Sequence, residues 1–312
     1  MTLGDPLVSI NVPCYHQLHY ARLAVASMLG QSLSHLEVTL LDDGASDDYE
    51  RYVSSLGDPR VRYHRNAERL GAMRNMFSAI TAGRGAFTMA FHEDDLLSTS
   101  YIASAVAILE SHPTCAFVAC QLREFEGEPS AADLSRTFQP TARDVFANGA
   151  EFVRGIMRGV EPMFGSVVYR RSALDGVSPD HDGFATLVDR PFLLSIMARG
   201  WSGAVIRDPL VWYRHHGDGD TRHLAMDTTH ILRLLRAYRD NLPEHWSKDD
   251  RTAFFTYTGY WLFELYRLTP PAQRPPVWKF LFRAWRAGLY DPRARGRFGV
   301  RQIQRALLNQ TS

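Results

Sequence analysis

No run of apolar residues in the 312-residue sequence is long enough to cross a bilayer, and its first residues carry no leader pattern, so neither a membrane-spanning nor an exported protein is expected. Cysteine is scarce. Cys14, Cys115 and Cys120 are odd in number and unmatched in spacing, which argues against a disulfide framework and for a reducing cytoplasm. Net charge is almost absent, with 35 Lys and Arg against 34 Asp and Glu; no nucleic-acid recognition module and no internal repeat are visible. Two nucleotide fingerprints are also missing. There is no G-x-x-x-x-G-K-[ST] loop, and no G-x-G-x-x-G follows the first apolar run, which excludes a P-loop and a dinucleotide-binding turn. A diphosphate bound by this chain must rest on a metal ion and basic side chains. What the chain has in quantity is apolar content, 45%, ample for one large domain and a smaller one.

The apolar residues fall into short runs that end in acids. Residues 87–97 read FTMAFHEDDLL, a strand-length run ending in Glu93, Asp94 and Asp95. Adjacent carboxylates repel, and a hard divalent cation such as Mg²⁺ or Mn²⁺ relieves that while completing its shell with water and phosphate oxygens. Taken alone, the trio equally suits the cap of a helix starting near Ser98. A second run, 36–41, leads directly into Asp42 and Asp43. Ahead of it, 8–12 is a strand stopped by Pro13, and 20–29 carries helix-spaced apolar residues. Further on, 61–64 is a short strand, and in 70–80 Leu70, Met73, Phe77 and Ile80 share a helical face. Alternation of this kind predicts an α/β fold with a mostly parallel sheet between helices, and such sheets bind ligands at the carboxyl ends of their strands.

The stretch VSINVPCYHQLHYARLAVASMLGQSLSHLEVTLLDDGASDD, the later RLGAMRN and then FTMAFHEDDLL resemble, in order and spacing, the family 2 glycosyltransferases of the Rossmann-like GT-A fold. The resemblance covers roughly the first two-thirds of the chain. It implies that Pro13 and Tyr15 line the nucleotide pocket, that Asp43 accepts a hydrogen bond from the base and that Arg74 lies close to the nucleotide or its diphosphate. It also implies that Asp95 ligates the metal, with Glu93 or Asp94 directed toward the ribose and the metal's surroundings. The sequence departs from the family pattern at Glu93, where Asp is more usual, and at Asp43-Gly44-Ala45 in place of D-G-S. The longer Glu93 still reaches a ribose hydroxyl or a metal-bound water. Without the resemblance, Arg74 reads as a solvated helix residue and Asp42 as a strand-end carboxylate making a turn.

Downstream, 164–169 is strand-like, with Arg170, Arg171 and Ser172 at an expected helix start; the resemblance places acceptor-side and donor-sugar contacts here. In 183–199, Asp189 precedes Phe192, Leu193, Ile196 and Met197 at amphipathic spacing. An acid in that first turn gains about 0.3 to 1 kcal/mol from the helix dipole. The resemblance instead makes Asp189 the catalytic base, although Val188 precedes it where the family has Glu or Gly. A strand at 203–206 is followed by VWYRHHGDGDTRH, which resembles the family's Y-R-x-H segment and so selects His216 for the metal and Arg214 for the departing diphosphate. A zinc site built from these histidines is the runner-up, but no cysteine accompanies them. His215 and His223 read as surface-loop residues.

The near-neutral total conceals a basic C-terminal third, with ten Lys or Arg and a single acid, Asp291, between Arg267 and Arg305. After Pro275 and Pro276, helical spacing puts Trp278, Leu281, Phe282, Trp285 and Leu289 on one side, and Lys279, Arg283 and Arg286 on another. Such a helix either lies on an anionic membrane surface or packs its aromatics against the catalytic domain or a second subunit; packing is favoured. The expectation is thus a GT-A domain over 1–220 and a helical region over 221–312. The activity expected is that of a Mn²⁺- or Mg²⁺-dependent, inverting, hexosyltransferase-type enzyme of cell-surface polysaccharide or other glycan synthesis, cytoplasmic or peripheral at the inner membrane face. Its partners would be a nucleoside-diphosphate sugar, UDP or dTDP before CMP because Asp43 calls for an N–H on the base, and a glycan, lipid-linked or small-molecule acceptor. Alternatives are nucleotidylyl transfer to a sugar phosphate, whose Gly-rich, Lys-containing N-terminal loop is missing here, and a non-catalytic sugar-nucleotide-binding protein.

Overall fold

The computed structural model describes residues 6–44, 46–127, 143–216, 228–268 and 274–291. Ala45, residues 128–142, His223 and the basic residues from Arg293 to Arg305 therefore lie outside the described residues. The chain divides into two compact units: Met1–Asn148, Glu161–Pro179 and Phe192–Arg222 form the first, and Gly149–Val160, Asp180–Pro191 and His223–Ser312 the second.

The first unit is α/β. Strands β1 (Val8–Cys14), β2 (Leu36–Asp42), β3 (Val61–Arg65) and β4 (Phe87–Ala90) are parallel in the order β3-β2-β1-β4, with helices α1 (Leu18–Leu29), α2 (Asp48–Leu56) and α3 (Ala72–Thr81) between them in sequence. Alternation along β1 and β2 sends Val8, Ile10, Val12, Val38 and Leu40 into one core with Ala21, Val25 and Met28 of α1. The opposite face of β1 carries the polar and fully buried Ser9 and Asn11, whose donors are paired: the Asn11 amide N–H groups donate to the Ala79 and Ala82 carbonyls, and the Ser9 hydroxyl to Glu37. Helix α3 buries Asn75, Met76, Ala79 and Ile80. The expected Leu70-Met73-Phe77-Ile80 face is rotated, because the helix begins only at Ala72 and the Asn75 amide turns inward to donate to the Leu41 carbonyl at 2.9 Å, as a buried amide must.

Beyond β4 the sheet becomes mixed. Strand β5 (Leu96–Leu97) and helix α4 (Tyr101–Ser111) lead to β6 (Cys115–Phe125) and β7 (Arg143–Phe146); β8 (Val168–Arg170) is antiparallel to both β4 and β6, and β9 (Ser202–Arg214) is parallel to β6. β5 and β7 both pair antiparallel with β9. The strand expected at 203–206 thus runs to thirteen residues, with its register broken near Pro209, which has no N–H for the ladder. The strand expected at 164–169 is a 3₁₀ turn, Phe164–Ser166, followed by β8.

The second unit is helical: α5 (Gly149–Met157), α6 (His181–Phe184), the start of α7 (Asp189–Met197), α8 (Thr228–Asp240), α9 (Lys248–Leu268) and α10 (Val277–Arg286). Long-range polar contacts draw 149–160 and 180–191 to the helices after residue 222. Arg154 donates two hydrogen bonds to the Asp250 carboxylate, both 2.9 Å; Arg233 pairs with Asp180 at 3.4 Å; and Arg190 donates to the Tyr257 hydroxyl at 3.1 Å. Within α10 it is Ala284 that is buried, while Trp278, Phe282 and Trp285 face outward. Among the described residues of this chain, Phe280, against Tyr266 of α9, and Ala284 occupy the inward arc of α10.

Candidate active site

Register brings the acidic strand ends together. Cys14 of β1 lies opposite Asp42 of β2, and Asn11 opposite Ala90 of β4, so the residues that follow each strand share one edge of the sheet. The pairing of Leu96 with Trp212 and of Leu97 with Val211 then carries Arg214 and His216 to the acids after β4. That contact depends on a two-residue strand, and no short-range pattern announces it.

Each carboxylate has a distinct setting. Asp42 is fully buried and accepts from the Gly44 N–H and the Tyr63 hydroxyl, both at 2.8 Å, which is a turn-making arrangement. Gly44 is required there, since a Cβ would meet the Tyr15 carbonyl oxygen at 2.9 Å. Asp43 accepts from the Asn66 amide at 2.9 Å and from the Leu70 and Gly71 N–H groups at 2.7 and 2.8 Å. It thereby holds the turn before α3, where Gly71 has φ 81° and ψ 158°, a region open essentially to glycine alone. Glu93 accepts from the Tyr15 N–H at 3.0 Å and from the Tyr49 hydroxyl. Burial pushes its pKa up to about 7, with the Asp94 and Asp42 charges adding to the rise and the two hydrogen bonds opposing it.

Asp94 meets His216 Nε2 through Oδ2 at 2.8 Å. Asp95 is 2% exposed, accepts from the Arg214 N–H through Oδ1 at 2.9 Å and has Oδ2 3.7 Å from His92 Nδ1. Burial raises the Asp95 pKa, the Asp94 charge adds to the rise, and His92 and Arg214 oppose it. His92, Asp94 and Asp95 offer ligand atoms that all lie within 4.8 Å of one another. Two carboxylates and an imidazole are a donor set suited to Mn²⁺ and tolerable to Mg²⁺. The His216 side chain is 8% exposed, and its Nδ1 is buried without a hydrogen-bond partner among the described residues. The residues present fit a divalent cation.

The bases expected around a diphosphate differ in kind. Arg214 is 4% exposed, with its guanidinium between the Tyr20 and Phe125 rings at 4.5 Å from each, donating to the carbonyls of Asp94 and Gly127. Its side chain thus braces the acidic segment from behind. Arg74 is exposed in the first turn of α3 and has no ion pair among the described residues. Pro13 and Tyr15 are half-buried at the end of β1, and Arg69 lies over the Tyr15 ring at 4.3 Å. Asp189 is half-buried in the first turn of α7, in the second unit.

Four participants escaped the sequence reading. His92 was readable as an imidazole beside the acidic trio. Its ring lies against Gly165, where a Cβ would come within 3.3 Å of Cδ2. Tyr49, Asn66 and Arg69 left no local signal, because each reaches its partner through the fold.

Sequence comparison matches residues 9–175 to the family described as Glycosyl transferase family 2. WcaA of Escherichia coli, a protein named for colanic acid biosynthesis and glycosyl transfer, is 27% identical over 139 residues, 44% of this chain and 50% of WcaA. EpsH of Bacillus subtilis, named as a glycosyltransferase, is 23% identical over 223 residues, 69% of this chain and 62% of EpsH. The chain thus spans half to three-fifths of the length of these relatives. Among solved structures, residues 1–349 of Staphylococcus aureus TarS in complex with UDP-GlcNAc superpose with a TM-score of 0.61 at 13% identity, covering 90% of this chain and 81% of that one. The mannosyltransferase PcManGT of Pyrobaculum calidifontis, in complex with GDP-Man and Mn²⁺, superposes with a TM-score of 0.51 at 17% identity, covering 99% and 76%.

Proposed function

The chain belongs to glycosyl transferase family 2 and has the GT-A fold, and from that premise we propose that it transfers a sugar from a nucleoside-diphosphate sugar to an acceptor hydroxyl, with inversion at the anomeric carbon. The observation that carries this reading is the meeting of His92, Asp94 and Asp95 at the strand edge that also presents Tyr15 and Asp43. Tyr15 and Pro13 form the wall for the base. Asp43 already accepts three hydrogen bonds from the chain; a carboxylate has about four acceptor sites, and the remaining one suits the ring N–H of uracil or thymine. Arg74 contacts the nucleotide or its diphosphate from the start of α3.

Asp95 and His92 hold the cation, with Asp94 and its partner His216 completing the surroundings. When bound there, Mn²⁺ or Mg²⁺ supplies electrostatic stabilisation to the departing diphosphate. Glu93 serves by fixing the Tyr15 backbone, and Arg214 by positioning Asp94 and Asp95. Asp189 takes the proton of the acceptor hydroxyl; the acceptor oxygen bonds to the anomeric carbon as the bond to the diphosphate oxygen breaks, and the electron pair leaves with the nucleoside diphosphate. The PcManGT complex with GDP-Man and Mn²⁺ supports the metal, and the TarS complex the UDP-linked donor. The name of WcaA, a glycosyl transferase of colanic acid biosynthesis, supports a place in polysaccharide synthesis.

Calorimetric titration of UDP, dTDP and GDP with Mn²⁺ or with EDTA, on wild type and Asp95→Ala, tests the reading. Binding that requires the cation and falls at least about tenfold in the variant, roughly 1.4 kcal/mol, is expected. Equal affinity in EDTA would remove the metal site. Pyrophosphate release from a nucleoside triphosphate and a sugar phosphate would replace glycosyl transfer with nucleotidylyl transfer.

A further inference from the structure

Helix α10 presents two stripes to solvent. Trp278, Phe282 and Trp285 are 66, 50 and 52% exposed, and their spacing of four and three residues places them on one line along the helix. Lys279, Arg283 and Arg286, each one residue further on, form a second exposed line about 100° round the axis. Ala284 faces inward, and Phe280 rests on Tyr266. No acid occurs from Arg274 to Tyr290. Three large aromatic side chains gathered in water mark a surface that something covers.

The flanking bases indicate what covers it. A second copy docking by two-fold symmetry would bring the same patch against itself and gather six basic side chains with no acid from this helix between them. An anionic bilayer offers both complements at once: an apolar boundary for Trp and Phe, and phosphate-bearing headgroups for Lys and Arg. No helix of the described residues is long and apolar enough to cross a membrane, so the contact is peripheral. We propose that α10 seats this protein on an anionic lipid surface through Trp278, Phe282 and Trp285, with Lys279, Arg283 and Arg286 paired to lipid phosphates. This inference stands apart from the reaction assigned above, since no residue of the candidate active site takes part.

Co-sedimentation of the full-length protein with phosphatidylcholine vesicles, with or without an equal share of phosphatidylglycerol, tests the proposal. Binding to the anionic vesicles alone, weakened by salt, is expected. Trp278→Ser/Phe282→Ser/Trp285→Ser and Lys279→Gln/Arg283→Gln/Arg286→Gln, each checked for native circular dichroism, should each lose at least tenfold in vesicle affinity. Absence of binding to anionic vesicles overturns the proposal, as does binding that neither triple variant weakens, which would assign it to other basic residues. Light scattering supplies the remaining arm: a wild-type dimer that the aromatic variant converts to monomer would show that a second copy covers the helix.

Discussion

In the proposed mechanism Asp189 bears the heaviest chemical demand of any single residue. Its first-turn position already has a structural use through the helix dipole, so a role in proton transfer must appear in rate and not in folding. General-base catalysis contributes typically about 10²- to 10⁴-fold; Asp189→Asn, nearly isosteric, should lower kcat by that much while calorimetric donor affinity is unchanged. Near-wild-type turnover would unseat it, and Asp182, exposed in α6, would be the next carboxylate to test. Gly71 is the second residue whose substitution is informative. Its φ of 81° with ψ of 158° costs a side-chain-bearing residue about 1 to 3 kcal/mol. Gly71→Ala should therefore lower the unfolding free energy by that amount and weaken nucleotide binding as well, because the same turn delivers two N–H groups to Asp43. Loss of stability with unchanged nucleotide affinity would separate the turn from the base pocket.

At the scale of elements, α5 and α9 are joined by the paired hydrogen bonds from Arg154 to Asp250, whose side chains are 29 and 11% exposed. Those hydrogen bonds, chiefly, hold the Asp250 pKa below its ordinary value of 3.8. A carboxylate with a lowered folded-state pKa stabilises the fold fully above the unfolded value, and that contribution disappears as pH falls through the folded one. Hydrogen bonds to charged groups contribute about 1.5 to 3 kcal/mol, so Asp250→Asn should cost roughly that at neutral pH, with the gap to wild type closing below pH ~4. Denaturant titrations across that range measure it; a gap independent of pH would mean the loss is steric. The strands β1 to β4 and their parallel sense were legible as short runs alternating with helical segments, whereas their order β3-β2-β1-β4 is set by pairing between segments distant in sequence. The mixed half was not, since β5 is two residues long and β9 continues past the Arg207-Asp208-Pro209 interruption.

For the whole molecule, a ligand at 100 times its Kd adds about 2.7 kcal/mol to stability, so thermal unfolding ranks nucleotides without an acceptor in hand. UDP or dTDP with Mn²⁺ should raise the midpoint more than CDP does, and EDTA should cancel the rise; a midpoint that no nucleotide moves would remove the donor site. The sequence by itself determined the family, the alternating first half and the acids Asp43, Glu93, Asp94 and Asp95, because strand-end carboxylates and their spacing are local features that survive in one dimension. It also determined that aromatic and basic residues share α10, since both stripes follow from helical period. Only the tertiary structure decided which of those acids are free for a ligand. Asp43 holds the turn before α3, Glu93 is committed to Tyr15 and Tyr49, and Asp95 accepts from the Arg214 N–H; each pairing joins segments separated in sequence. It likewise turned Arg214 inward between two aromatic rings and the α10 aromatics outward, because periodicity states which residues share a face, and only packing states what that face meets.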